Sequence, residues 1–170
     1  MKIRGITLIV CLIFLTLLSM LGASALTATG FNEKMTSNAL QRNLSFQSAD
    51  SSLRNGEQWL FAQSAHPAPV AACGTPPCQV WQANILPTLA SQSDTWWQLN
   101  GTPFNSSLGS GIKETPVYIL EESLFVPDDL NPSTTTARSG TYYYTVTAEG
   151  VGPTTDSQAI VQSIYATRYN

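Results

Sequence analysis

Ile6-Thr7-Leu8-Ile9-Val10-Cys11-Leu12-Ile13-Phe14-Leu15-Thr16-Leu17-Leu18 runs without a charge, and none occurs anywhere between residues 5 and 32. A single glycine, Gly5, separates this run from the leader Met1-Lys2-Ile3-Arg4. A helix needs about 20 apolar residues to cross a hydrocarbon core, and Ile6 to Leu26 supplies them. Three fates are open to such a segment. It can be a secretory signal cut near Ala23-Ser24-Ala25, which resembles an A-x-A cleavage site. It can be a plain uncleaved anchor, with Lys2 and Arg4 keeping the N-terminus inside. Or the chain is cut after Gly5 on the cytoplasmic face, and the whole apolar helix survives.

The residues beyond the run favour the third. No proline occurs from Phe31 to Ala62. Met35, Ala39, Phe46, Leu53 and Leu60 recur at helical spacing, and Leu40, Leu44, Ala49 and Gly56 widen the stripe. Glu33, Lys34, Arg42, Asp50, Arg54 and Glu57 fall mostly elsewhere, and Pro67 and Pro69 mark the end. The pattern predicts one helix from Ile6 to about Ala62, roughly 85 Å long at about 1.5 Å per residue. Its first half is apolar all round and its second half amphipathic. A signal peptide has no use for that continuation, whereas a filament subunit needs a lipid-embedded half joined to a half that packs on a folded head.

These residues resemble a known family, the PilX-type minor pilins of type IV pili. The likeness starts with Arg4-Gly5 before the apolar run and Thr7-Leu8-Ile9-Val10 within it, and continues through Glu33-Lys34-Met35 and Asn38. It includes Arg42-Asn43-Leu44-Ser45-Phe46-Gln47-Ser48-Ala49-Asp50-Ser51-Ser52-Leu53-Arg54, which is similar to the family's R-N-x-A-F-Q-A-A-E-x-A-L-R stretch. Pro116 to Glu122, Tyr143 to Gly152 and Ala159 to Ala166 look like its strands, and residues 63 to 114 are the least covered. The resemblance implies an α+β fold, with a long pilin-like N-terminal helix packed against a C-terminal antiparallel sheet. It divides the chain into a prepilin leader (1–5), a transmembrane and filament-core half-helix (6–31), an amphipathic half-helix (32–64) and a globular head (65–170). It also implies cleavage between Gly5 and Ile6 by a prepilin peptidase, and N-methylation of Ile6. The family's usual residue at that position is Phe, so Ile6 is a departure.

A second departure is at Val10. Most pilins carry Glu as the fifth residue after the leader, where it is thought to face the N-terminal amine of the subunit added before it. An ammonium buried in hydrocarbon costs several kcal/mol unless paired. Val10 offers no such partner, which places the chain at or near a filament tip, among the first subunits assembled. The plainer alternative is that Val10 fills an apolar position and no more.

Charged residues are only 11% of the chain and its net charge is −3, or −5 once Lys2 and Arg4 are set aside (six basic against eleven acidic). Such a surface exerts no general attraction on nucleic acid, and no Lys/Arg cluster is present. Of the three cysteines, Cys11 lies in the apolar run as a small hydrophobe. Cys73 and Cys78 enclose Gly74-Thr75-Pro76-Pro77, a turn-forming spacer that suits a disulfide in an oxidising compartment; free thiols are the next alternative. A metal site is the weakest, since His66 is the only histidine and the spacing fits no usual zinc pattern. No cofactor is expected, and no catalytic site, because His66 has no nucleophile with an orienting acid beside it.

For the head, Val80 to Leu86 reads as one or two helical turns and Trp96-Trp97 as an aromatic plug against the long helix, with an exposed sugar site as the sharper alternative. Asn100 to Gly111 reads as a surface loop. Val117 to Leu120 with Leu124 to Val126, Gly140 to Ala148, and Ala159 to Thr167 predict an antiparallel meander. Asp128-Asp129 with Asn131 reads as a solvated turn, calcium ligation being the alternative. Sequons occur at Asn43, Asn100 and Asn105. The expected function is a minor pilin that promotes type IV pilus assembly in a tip or priming complex. Its partners would be other minor and major pilins, the inner membrane (single-pass before assembly) and the prepilin peptidase, with the head in the periplasm or outside. The rivals are a minor pseudopilin of type II secretion and a pilus-associated adhesin or DNA-uptake subunit.

Overall fold

The computed structural model describes residues 6–74, 78–104, 111–128 and 140–169. The chain divides into two compact units, Met1–Leu40 and Gln41–Asn170. Helix α1, Ile6–Ala62, contributes its first part to one and its last part to the other.

In the second unit α1 backs a sheet with strand order β1 (Trp81–Gln82), β3 (Val117–Pro127), β4 (Gly140–Val151), β5 (Gln158–Arg168), and β2 (Thr102–Pro103) pairs off that path with β3. Strands β3, β4 and β5 form the antiparallel meander that the three β-branched and aromatic runs predict. The two halves expected of the first run are one strand, joined through an irregularity between Glu122 and Leu124. Strand β4 continues past Ala148 to Val151, because Gly150 lies under the helix instead of opening a turn. Residues Val80 to Leu86 are not helical: β1 (Trp81–Gln82) pairs in parallel with β3 at Glu121 and Glu122, and Asn84 follows in a left-handed turn at φ 60°. Two residues of strand suffice there because Trp81 is drawn into the core. Strand β2 (Thr102–Pro103) follows the seven-residue helix α2 (Asp94–Asn100), whose start is capped by the Ser93 hydroxyl accepting from the Trp96 amide.

Alternation along β3 and β4 sends side chains to two faces. Toward α1 go Tyr118, Leu120, Tyr144, Val146 and Ala148, which meet Leu53 and Leu60. The helix side of this seam is mostly small: Ser45, Ser48, Ala49, Ser52 and Gly56 are buried with Leu53 and Leu60. The expected stripe is therefore only partly right, since Phe46 is 56% exposed and Met35 and Leu40 are exposed too. A helix that approaches a sheet this closely leaves no room for larger residues, so apolar bulk at 46 turns outward. On the opposite face Trp97, Trp81, Val117 and Ile119 form a second cluster. The tryptophan plug thus seals the sheet face away from α1, not the helix itself.

Candidate functional site

The first unit is a surface in itself. Every residue from Ile6 to Thr29 is exposed, and the helix reaches a mean hydropathy of 2.6 over its most apolar 18 residues. It is long and apolar enough to cross a membrane. Its polar side chains do not spoil this. Thr16, Ser19, Thr27 and Thr29 each donate a hydroxyl to a carbonyl one turn back, at 2.8, 2.7, 3.0 and 3.0 Å. Hydroxyls satisfied within their own helix present little unpaired polarity to hydrocarbon. Val10 stands on this surface, 45% exposed, between residues that are equally apolar. Ile6 is the first described residue, and Gly5 lies outside them.

In the head, Cys73 and Cys78 form a disulfide with their Cα atoms 5.8 Å apart. Both pack against the Trp81–Trp97 cluster, so the bridge pins the loop that covers the outer sheet face. His66 lies in the segment that follows α1. Its Nε2 lies 2.6 Å from Glu122 Oε2 and its ring stacks on Tyr142 at 4.1 Å, tying the chain after α1 to β3 and β4. Asp128 pairs with Arg168, while Asp129, Asn131 and Asn105 lie outside the described residues. Among the described residues no group of three His, Cys, Asp or Glu is placed to hold a metal ion. Trp97 and Tyr144 are fully buried, and Trp96, Tyr142 and Tyr143 are half-buried. Trp97 and Tyr144 are therefore closed to an adhesive or DNA-receiving surface, while Trp96, Tyr142 and Tyr143 keep part of their area accessible.

Two features carry no signal in the sequence. Glu149, only 1% exposed, sits beneath α2, where burial pushes its carboxyl up to about 8. A hydrogen bond from Gln158 opposes the shift, and Asp94 and Glu114 add to it. The second is a polar groove on the outer sheet face around Glu121, whose carboxyl is also pushed up by burial. Alternation in β4 marks position 149 as facing the tryptophan cluster, but nothing local shows that this position is covered.

A long N-terminal helix whose last turns back a mixed, largely antiparallel sheet is an α+β, pilin-like architecture. Residues 4–54 match the family model described as PilX N-terminal, so this part of the chain is similar to the N-terminal region of PilX-type pilins. That match ends within α1, before the head's sheet. No curated protein and no solved structure matches the chain.

Proposed function

We propose that this chain is a minor pilin that promotes assembly of a type IV pilus from a tip or priming complex. In this reading the peptidase removes residues 1–5, Ile6 becomes the methylated N-terminus, and residues 6–31 first anchor the chain in the inner membrane. The same helix then exchanges lipid for the helices of neighbouring subunits, while the head remains outside. Packing does the work, without bond chemistry.

The observation that carries the tip assignment is Val10. It stands on an apolar, exposed stretch of α1, where a glutamate would neutralise the amine of a neighbouring subunit. Without that carboxylate, the chain cannot offer the pairing that offsets the several-kcal/mol cost of burying an ammonium. Its own amine can still be neutralised by a glutamate from another subunit. One-sided pairing of this kind suits the end of a polymer.

Two readouts test this. Mass spectrometry of the membrane-extracted protein should find Ile6 at the mature N-terminus; Leu26 would indicate a secretory signal and Met1 a plain anchor, and either ends the pilin reading. Val10→Glu should then move the protein from fibre ends to a scattered distribution and lower piliation. If variant and wild type support equal piliation and spread alike along fibres, the tip role is lost while the pilin reading stands.

A further inference from the structure

The loop carrying Asn84, Leu86 and Leu89 does not lie flat on the outer face of the sheet. Between it and strands β3 to β5 run two neighbouring hollows of about 390 and 290 Å³, which share Asn84, Glu121 and Gln162 as walls. Glu121, half-buried on β3 at the register of Thr145, is the only charged group among the described residues that line either. It has no ion-pair or hydrogen-bond partner among the described residues, unlike Glu122 beside it, which holds His66. The remaining polar lining accepts readily. The Gln162 amide nitrogen donates to Thr147 at 3.0 Å, which leaves the amide oxygen as its acceptor. The Ser123 and Thr145 hydroxyls bond each other. Leu86 and Ile160 add apolar wall in the larger hollow.

A half-buried carboxylate without a partner is partly desolvated, and a cation entering beside it offsets that cost. A single carboxylate is too few ligands for a hard metal ion, which takes six or more oxygens. A guanidinium fits better: it is planar, always charged, donates through five N–H groups, is weakly hydrated, and tolerates apolar side chains against its faces. We propose that this groove receives an arginine side chain from a partner polypeptide, with Glu121 as its counter-charge and the amide oxygens of Asn84 and Gln162 as further acceptors. The groove is open at Ile164, which is 73% exposed at the rim and gives the partner's backbone an apolar shelf. The groove belongs to the head alone, so it can be filled whether or not the chain sits at a filament tip.

The full chain, labelled with ¹⁵N in detergent micelles, is titrated with acetyl-Gly-Arg-Gly-amide and, separately, with its citrulline and lysine counterparts. The arginine peptide should shift the amides of Asn84, Glu121, Thr145 and Gln162 in a saturable way. Glu121→Gln should weaken it by about tenfold, the loss expected for one charge-assisted contact. Gln162→Glu, which adds a second carboxylate, should tighten binding and does not depend on the first variant folding. Equal binding of the citrulline peptide, no effect of either variant, or shifts confined to other surfaces overturns the proposal. Equal binding of the lysine peptide overturns the choice of a guanidinium.

Discussion

Gly150 of β4 lies directly under Ala49 of α1. A Cβ built at position 150 would stand 2.9 Å from the Ala49 Cα and 2.5 Å from the Ser45 carbonyl oxygen. Both neighbours are backbone and cannot step aside without moving the helix. Gly150→Ala is therefore expected to destabilise the head by about 1–3 kcal/mol, the range for overpacking. Urea unfolding followed by tryptophan fluorescence gives the number. A loss below about 0.5 kcal/mol, the usual level for surface changes, would show that helix and strand are not in contact there.

The same seam holds two hydroxyls, of Ser48 and Ser52, that are buried without a hydrogen-bond partner among the described residues. A buried polar group without a partner carries a desolvation cost that an apolar replacement of similar size does not. Ser48→Ala and Ser52→Ala should each raise stability by about 0.5–1.5 kcal/mol. Since alanine is also the better helix former, a drop in unfolding midpoint for both would mean that each hydroxyl has a partner in solution.

Glu149 ties stability to pH. Its carboxyl is pushed up to about 8 by burial, so the folded chain holds a proton there that the unfolded chain releases near the ordinary carboxylate range. The folded state thus binds more protons between those two values, and stability falls as pH rises through that window. The contribution is complete below about pH 4 and gone above about pH 8. Glu149→Gln should flatten the slope between pH 5 and pH 9 and leave the variant the more stable protein at about pH 9. Parallel slopes for wild type and variant across that range would mean that Glu149 is ionised when folded.

The Cys73–Cys78 bridge closes a short loop, for which the chain-entropy estimate is about 2 kcal/mol. Reduction, or replacement of both cysteines by serine, should lower stability by about that amount. It should also loosen the Trp81–Trp97 cluster on which the bridge rests. The tryptophan emission of the reduced protein should accordingly shift to longer wavelength, and an unchanged spectrum would separate the bridge from that packing.

Much of this architecture is legible in the chain. Helix α1 ends at Ala62, where the apolar periodicity stops and Pro67 and Pro69 come after it. The meander lies where Val117, Tyr142 to Val146 and Ile160 to Ile164 place β-branched and aromatic residues. These features depend on near neighbours, and local propensity reports them well. The helix–sheet seam is less legible. Ser45, Ser48, Ser52 and Gly56 look like surface or turn residues, yet they are buried because smallness lets two backbones approach. Phe46 looks like core and is exposed for the same reason. Trp97 announces a plug without saying which face of the sheet it seals.

An uncharged stretch from Ile6 onward, and a helical continuation as far as Ala62, needed no partner to be recognised, since hydropathy and backbone preference are properties of consecutive residues. The burial of Glu149, by contrast, comes from Gln158 one strand away and from α2, which begins 55 positions earlier at Asp94. The groove at Glu121 likewise exists only because β1 carries Asn84 across β3. Desolvation and enclosure are created by groups far apart in sequence, so only their assembly in space could reveal them.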